Sequence, residues 1–447
     1  MTTTWFTPHA WLPEGMATNV RITTDGERIV GIATRRQPLP EDVRLAGLVL
    51  PGLANGHSHA FHRALRGRTQ AGRGSFWTWR ESMYAVADRL SPDAYLALAR
   101  AAYAEMCLAG YTLVGEFHYL HHRPGGGSYA DPNAMGAALI QAAGEVGIRL
   151  TLLDTLYLAG GLGADGFESM APTQVRFTDG SVTAWAERIA ALGEGGAHWL
   201  PAAAVHSVRA VPKENLAEVA TALPHLPGPG VLHAHVSEQP MENVAVGMFY
   251  GATPVGLLAD AGLLGRGFTA VHATHLNDAD LALLGDAGAT ACFCPTTERD
   301  LADGIGPARA LLDAGARLSL GSDQHAVIDP FEEWRGVEMD ERLVSNERGR
   351  LSAAELLGAA TADGYASLGW TDGGRLAPGA LADFVAVRTD SVRTAGCRPE
   401  QVPYAATSTD VVDVVVGGRQ VVADGRHMIG PVAPLLAEAI DLVRAGR

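Results

Sequence analysis

Residues 48–61 read LVLPGLANGHSHAF, in which two short apolar runs lead into two histidines separated by one residue. Continuous apolar runs of this length are typical of strands that are buried on both faces. Side chains two positions apart in an extended chain point to the same side, so His57 and His59 can reach one metal ion. The stretch therefore predicts a buried strand whose carboxyl end carries chemistry.

Similar apolar runs recur along the chain, and helical patterns separate most of them. The predicted strands are Leu48–Leu50, Leu113–Val114, Leu150–Leu153, Ala202–Val205, Val231–Leu232, Ala270–Val271, Ala291–Phe293 and Leu318–Leu320. The clearest helix follows Ser91 and ends at Gly110, and a later one begins with a capping box at Ser352. Eight buried strands that alternate with helices predict an α/β fold, a (β/α)8 barrel of the TIM type.

The two ends of the chain have β character instead. Asp25-Gly26 near the start and Gly417-Gly418 near the end each separate two apolar stretches, and both pairs favour a hairpin turn. We therefore expect both ends to contribute strands to one small β-sandwich domain beside the barrel. The expected boundaries are residues 1–49 and 374–447 for the small domain and residues 50–373 for the catalytic barrel.

The charge balance restricts the partners. The 447 residues include 34 Lys plus Arg and 49 Asp plus Glu, a net charge of −15, which disfavours nucleic acid and anionic membranes as partners. The four cysteines are too few for a disulfide framework, and neither an export signal nor a long apolar span is apparent. We expect a cytoplasmic protein that acts on a small molecule, and we expect a homodimer.

Polar side chains follow several of the predicted strands. The fifth strand leads into His235 and Glu238, the sixth ends at His272, and the eighth ends at Asp323. Catalytic groups of a barrel gather at the carboxyl ends of its strands, so these side chains are expected to meet at one mouth. Imidazoles and a carboxylate suit a divalent ion such as Zn²⁺, which lowers the pKa of a bound water toward ~7. One carboxylate can then accept a proton from the water while another donates to a leaving nitrogen.

These motifs make the sequence similar to the amidohydrolase superfamily. The similarity rests on PGLANGHSH at residues 51–59, on His235-x-x-Glu238, on His272 and on Ser322-Asp323, and it extends to GRLAPGALADF at residues 374–384. The fourth strand ends without a lysine that could bridge two metals, which resembles the mononuclear deaminase branch. The resemblance implies one Zn²⁺ per chain, with the ligands His57, His59, His235 and Asp323. It implies as catalytic residues Glu238, His272 and Asp323.

Four further stretches resemble the branch that deiminates N-formimino-L-glutamate in histidine degradation. They are HSHAFHRA (57–64), SFWTWRE (75–81), GEFHY (115–119) and HSVR (206–209), although His62 stands where many relatives have glutamine. The resemblance implies contacts with a dicarboxylate substrate at Arg209, His206, Tyr119 and Arg80. Charge supports this independently, because two carboxylates require local cations in an acidic protein and Arg209 follows the fourth strand.

Three other functions are open at this point. A deaminase of a purine, pyrimidine or triazine would use the same metal chemistry, but a ring needs stacking partners more than it needs cations. A non-catalytic barrel scaffold has no chemical reason to keep the four ligands together with Glu238. An iron oxygenase would normally use two histidines and one carboxylate.

Overall fold

The computed structural model describes residues 2–70, 74, 76–163 and 165–446. Ser75, the first residue of one stretch quoted above, lies outside them. The strands are β1 (Thr2–Leu12), β2 (Gly15–Asp25), β3 (Arg28–Ala33), β4 (Val43–Arg44), β5 (Leu48–Pro51), β6 (Leu53–Ser58), β7 (Tyr111–His118), β8 (Arg149–Leu156), β9 (Gly161–Gly163), β10 (Gly166–Glu168), β11 (Trp199–Val205), β12 (Leu232–Val236), β13 (Phe268–His272), β14 (Thr290–Phe293), β15 (Arg317–Leu320), β16 (Phe384–Val387), β17 (Val411–Val416), β18 (Arg419–Ala423) and β19 (Arg426–His427).

The helices lie mainly between the strands of the barrel. They are α1 (Phe76–Ala87), α2 (Pro92–Ala109), α3 (Ala134–Val146), α4 (Val182–Ala190), α5 (Lys213–Ala222), α6 (Pro240–Tyr250), α7 (Pro254–Asp260), α8 (Asp278–Asp286), α9 (Pro295–Asp300), α10 (Ala308–Ala314), α11 (Pro330–Ser345), α12 (Ala353–Ala360), α13 (Ala362–Ser367), α14 (Val402–Ala405) and α15 (Val432–Ala445). Among the described helices, none is both long enough and apolar enough to cross a membrane.

Two predicted helix ends are confirmed in detail. The Ser91 side chain accepts a hydrogen bond from the Ala94 amide at the start of α2, and Gly110 ends that helix with a φ of 108°. Glycine adopts this left-handed conformation without the steric cost that a side chain would add. Ser352 and Glu355 form the reciprocal capping box that begins α12.

A parallel eight-stranded sheet forms the barrel, as predicted. Its order is β6, β7, β8, β11, β12, β13, β14 and β15. A bridge between Ser58 and Asp323 joins the first strand to the loop after the last and nearly closes the barrel. Seven of the eight predicted runs overlap these strands.

The prediction for the first barrel strand is wrong. Leu48–Leu50 lies in β5, which pairs with β1 and β16 in the sheet formed by the chain ends. The barrel begins instead with β6, so His57 lies inside a strand. Both strands are fully buried, although β5 reads LVLP whereas β6 reads LANGHS with polar residues among the apolar ones. Gly52 separates them, where a Cβ atom would collide with the Thr112 side chain.

The chain ends form a separate nine-stranded sheet, and both predicted hairpins are present in it. This sheet has an apolar core of its own, in which Trp5 contacts Phe384 edge to face with ring centroids 5.5 Å apart. A buried ion pair connects the sheet to the barrel, because Arg149 on β8 donates from Nε to Asp383 Oδ2 at 2.8 Å. The sheet therefore supports the amino-terminal side of the barrel.

The closure of the barrel gives a prediction on stability. The buried Asn55 side chain donates to Ser322 Oγ at 2.7 Å and accepts from the Ser322 amide at 2.9 Å. Asn55→Ala removes both bonds and leaves a buried amide without a partner, so we expect ~2–4 kcal/mol less free energy of unfolding in urea. Ser352→Ala, which removes only a helix cap, is the matched control and should cost about 1 kcal/mol. A loss at Asn55 no larger than the control would contradict this account of closure.

Candidate active site and metal centre

Three imidazoles and one carboxylate converge at the carboxyl end of the barrel. His57 and His59 come from the end of β6, His235 from β12, and Asp323 from the loop after β15. The Nε2 atoms of His57 and His235 are 3.1 Å apart, and Asp323 Oδ1 lies 3.4 Å from Nε2 of both His57 and His59. All four side chains are buried, and one ligand atom from each of the three histidines lies within 4.8 Å of the others.

The backbone fixes which ring nitrogens face this cluster. His59 donates from Nδ1 to the carbonyl oxygen of Phe117 at 2.9 Å, and His235 donates from Nδ1 to that of His206 at 2.9 Å. A carbonyl oxygen only accepts, so in each ring the proton is on Nδ1 and the lone pair on Nε2 points into the cluster. Metal-binding histidines are held in this way.

Burial and charge give these side chains the protonation states that a metal requires. Burial lowers the pKa of His57 to about 3 and lowers the pKa values of His59 and His235. Burial by itself would raise the pKa of Asp323, but the hydrogen bond with His57 and the nearby imidazoles hold it below its ordinary value. Neutral imidazoles beside a carboxylate are the ligand set of a divalent metal ion.

The loop after β15 is held in an unusual conformation to present Asp323. The φ of Asp323 is +40°, in the left-handed region that residues other than glycine rarely adopt. The Asp323 amide donates to the His57 carbonyl at 3.0 Å, and the His59 amide donates to the Asp323 carbonyl at 3.1 Å. These two hydrogen bonds to the end of β6 hold the Asp323 backbone in its strained conformation. Strain at functional sites persists when the surrounding structure fixes it in this way.

His272 lies among three carboxylates at the edge of the cluster. Its Nε2 atom is 3.9 Å from both Glu238 Oε1 and Asp323 Oδ2, and its Nδ1 atom is 3.3 Å from Glu298 Oε1. Burial lowers the pKa of His272, but the Glu298 hydrogen bond and the charges of Glu238 and Asp323 outweigh it and raise the pKa to about 10. The His272 ring is therefore suited to stabilise negative charge that develops on a group bound between Glu238 and Asp323.

A cavity of about 420 Å³ opens above the cluster, within the size range of small-molecule sites. Helix α1 and the β9–β10 hairpin form part of its wall. Aromatic rings from several elements line it, including Trp77, Trp79, Tyr84, Tyr157 and Phe177. The four residues predicted to contact substrate all line this cavity, namely Arg80, Tyr119, His206 and Arg209.

The two arginines have different surroundings. Arg209 donates from Nη2 to Glu238 Oε2 at 2.6 Å, and its Nε atom lies 3.6 Å from Glu242 Oε2. Arg80 reaches the Tyr157 hydroxyl at 3.5 Å and the Gly160 carbonyl at 3.3 Å, lies over the Trp77 and Tyr84 rings, and takes part in no ion pair among the described residues. One guanidinium is thus already bound to carboxylates, whereas the other is not.

The remaining two substrate candidates are held by polar neighbours. Tyr119 shares a hydrogen bond of 3.2 Å between its hydroxyl and Nε2 of His62. His206 lies next to the histidine cluster, with its ring centroid 5.1 Å from that of His235, and its Nδ1 atom is 3.1 Å from Ser207 Oγ. Both side chains therefore present one face to the cavity while their other groups are bonded to the wall.

Comparison with known proteins places the chain in a family. Residues 48–421 match the amidohydrolase family. The chain belongs to this family. It is 38% identical to formimidoylglutamate deiminase of Pseudomonas aeruginosa over 94% of this chain and 95% of that protein, and 30% identical to 8-oxoguanine deaminase of the same species over 85% and 83%. A crystal structure of an amidohydrolase from Brucella melitensis superposes with a TM-score of 0.90 at 33% identity, covering 99% of this chain and 100% of that one.

This amidohydrolase is a hydrolytic enzyme, and its relatives support deimination or deamination as the reaction class. Its family is typically metal-dependent, and the cluster of histidines and Asp323 fits that requirement. The relatives act on different compounds, so family membership leaves the substrate to the shape and charge of the cavity.

Sequence reasoning missed two glutamates of this amidohydrolase. Glu242 lies four residues beyond Glu238, in the first turn of α6, and its Oε2 atom accepts from the Glu238 amide at 3.1 Å. Glu298 lies near the start of α9, just after β14. The signals available were the i, i+4 spacing to Glu238 and the Cys294-Pro295 pair that ends a buried strand and begins a helix.

The cluster gives a prediction on metal binding. His59→Ala removes an imidazole, and because loss of a mere supporting residue already costs 10–100-fold in metal affinity, we expect at least ~100-fold weaker binding of Zn²⁺ in a competition titration. His118→Ala is the matched control, since His118 belongs to a second buried group with His121 and Asp154. Arg188 holds both oxygens of Asp154, so we expect this variant to bind Zn²⁺ as the unchanged protein does. Equal losses in the two variants would contradict the assignment.

Proposed function

We propose that this amidohydrolase hydrolyses N-formimino-L-glutamate to N-formyl-L-glutamate and ammonia, as a step of histidine degradation. The observation that carries the proposal is the presence of two guanidinium groups, Arg80 and Arg209, on the wall of one cavity above the histidine cluster. A guanidinium binds a carboxylate through two parallel hydrogen bonds, and this substrate has two carboxylates. The similarity to formimidoylglutamate deiminase supports the same substrate.

The alternative substrates fit the cavity less well. A purine, pyrimidine or triazine ring could stack on the aromatic walls, but it would leave Arg80 without an anionic partner. Arg80 lies over the Tyr84 ring, with its central carbon 5.1 Å from the ring centroid, and it has no carboxylate partner among the described residues. A cation held in this way near a cavity wall favours an anionic ligand.

We propose that His57, His59, His235 and Asp323 hold one Zn²⁺ per chain. When bound, the ion would lower the pKa of a water molecule and so make a nucleophile available at neutral pH. Arg80 and Arg209, with Tyr119 and His206, would bind the two carboxylates and place the formimino carbon over the cluster. The surrounding aromatic side chains would exclude bulk water from the reacting atoms.

Three side chains would move or stabilise charge during hydrolysis. Asp323 accepts a proton from the attacking water, and Glu238 delivers a proton to the nitrogen that leaves as ammonia. His272, 3.9 Å from a carboxylate oxygen of each, donates a hydrogen bond to the oxygen that becomes negative at the tetrahedral carbon. Glu298 keeps the His272 ring in this orientation through its bond to Nδ1.

We further propose a homodimer located in the cytoplasm. The four cysteines are free, and three of them are buried, which suits a reducing compartment. The mass in solution, measured by light scattering at several concentrations, tests the dimer.

The substrate is tested by a comparison of ammonia release from four compounds. We expect turnover of N-formimino-L-glutamate by the zinc-loaded enzyme, and values of kcat/KM at least ~100-fold lower for guanine, cytosine and adenosine, since each lost charged contact costs ~2–5 kcal/mol. The N-formyl-L-glutamate product is identified by mass spectrometry. Preferred turnover of any of the three bases would overturn the proposed substrate.

Glu238→Gln tests the proton transfer. The amide has a similar volume but cannot carry the proton, so we expect kcat to fall by ~10²–10⁴ while zinc content stays at about one per chain. Glu218→Gln on the exposed face of α5 is the control and should leave both quantities unchanged. Unchanged turnover of the Glu238 variant would remove this residue from the mechanism.

A further inference from the structure

Arg209 and Glu238 contact each other, although each has a different proposed role. Under the proposed function, Arg209 recognises a substrate carboxylate and Glu238 delivers a proton to the leaving nitrogen. The two side chains form an ion pair with Nη2 and Oε2 2.6 Å apart. In the free enzyme, Arg209 therefore occupies one of the two carboxylate oxygens of Glu238.

Charged groups of both signs surround this pair. His272 Nε2 lies 3.9 Å from the other oxygen of Glu238, Oε1. Glu242 is fully buried, with Oε2 3.6 Å from Arg209 Nε, and it also accepts a hydrogen bond from the Glu238 amide. The Nε–H group has no hydrogen-bond partner among the described residues, so Arg209 is incompletely bonded although it lies between two carboxylates. Its remaining N–H groups are available to a third acceptor.

Two other buried arginines show what a purely structural pair looks like in this chain. Arg188 lies between Asp154 and Asp179, and Arg149 lies between Asp383 and Glu27. Their side chains are 4% and 3% exposed, and neither lines the cavity, whereas the Arg209 side chain is 14% exposed and does line it. Arg209 is the member of this set that a ligand can reach.

We propose that Arg209 makes proton delivery by Glu238 conditional on a carboxylate bound in the cavity. In the free enzyme the guanidinium holds Glu238 through Oε2. A substrate carboxylate bound to Arg209 competes with Glu238 for the same guanidinium, so it weakens the ion pair and frees Oε2 of Glu238 to take part in proton transfer. The attacking water supplies both protons that the nitrogen gains before it leaves as ammonia, one through Asp323 and the other through Glu238. The inference rests on the proposed function and makes Arg209 a specificity residue that acts on kcat as well as on KM.

The experiment supplies the carboxylate separately from the reacting group. The zinc-loaded enzyme is assayed for ammonia release from N-methylformamidine, which has no carboxylate, with and without saturating propionate. We expect propionate to raise kcat at least ~10-fold, a fraction of the ~10²–10⁴ that a general acid provides. Propionamide, the neutral analogue, and sodium chloride at matched ionic strength should have no effect.

Arg209→Met provides the second measurement. It keeps the length of the side chain but cannot bind a carboxylate, so we expect its turnover of N-methylformamidine to be independent of propionate. The coupling would be overturned if propionate left the kcat of the unchanged enzyme for N-methylformamidine equal, lowered it, or altered only KM. A response to propionamide, or a response to propionate that persists in Arg209→Met, would also overturn it. N-formimino-L-glutamate is assayed in parallel, because a failure of the enzyme to hydrolyse it would overturn the proposed function and not merely this coupling.

Discussion

The site depends on the contact that nearly closes the barrel. Asn55 and Ser322 bond to each other through both side-chain and backbone groups, and two further backbone bonds join the end of β6 to the loop after β15. These bonds bring His57 and His59 to one side of Asp323, from positions more than 260 residues away in the sequence. The cluster exists because the sheet closes there, since no helix or single loop holds all its members.

Closure also explains why the backbone tolerates strain at this point. A left-handed φ at a non-glycine residue costs about 1–3 kcal/mol, and Asp323, His272 and Ser237 all have one. His272 is the last residue of β13, and Ser237 and Asp323 lie just after β12 and β15, where the chain must turn sharply while the side chain stays at the mouth. The neighbouring parallel strands fix the conformation of these turns. The many contacts between the strands offset the free-energy cost of the few strained residues.

The sequence was sufficient for those parts of the site that lie near strand ends. Histidines and carboxylates that follow short apolar runs were recognisable, because a barrel places all such ends at one mouth. The assignment of Leu48–Leu50 to the barrel failed because two buried strands follow each other directly, and their neighbours in space decide which sheet each joins. Glu298 and Glu242 were missed for a related reason, since each lies in the first turn of a helix and acts through a neighbour, His272 or Arg209.

The pairing of Arg209 could not be foreseen from its position after the fourth strand. A strand-end arginine in a protein with a net charge of −15 has many possible partners, and sequence alone treats it as a free cation. The folded chain instead puts Glu238 and Glu242 against it, because both follow β12 and the start of α6 directs them toward the neighbouring strand end. Arg80, on α1 beside the Trp77 and Tyr84 rings, has no carboxylate partner among the residues that the structure describes. Of these two arginines on the cavity wall, only Arg209 is bonded to a described glutamate. A ligand with two carboxylates therefore binds the two arginines differently. Arg80 can bind a carboxylate without breaking an ion pair to a described residue, whereas binding at Arg209 must alter the contacts of Glu238.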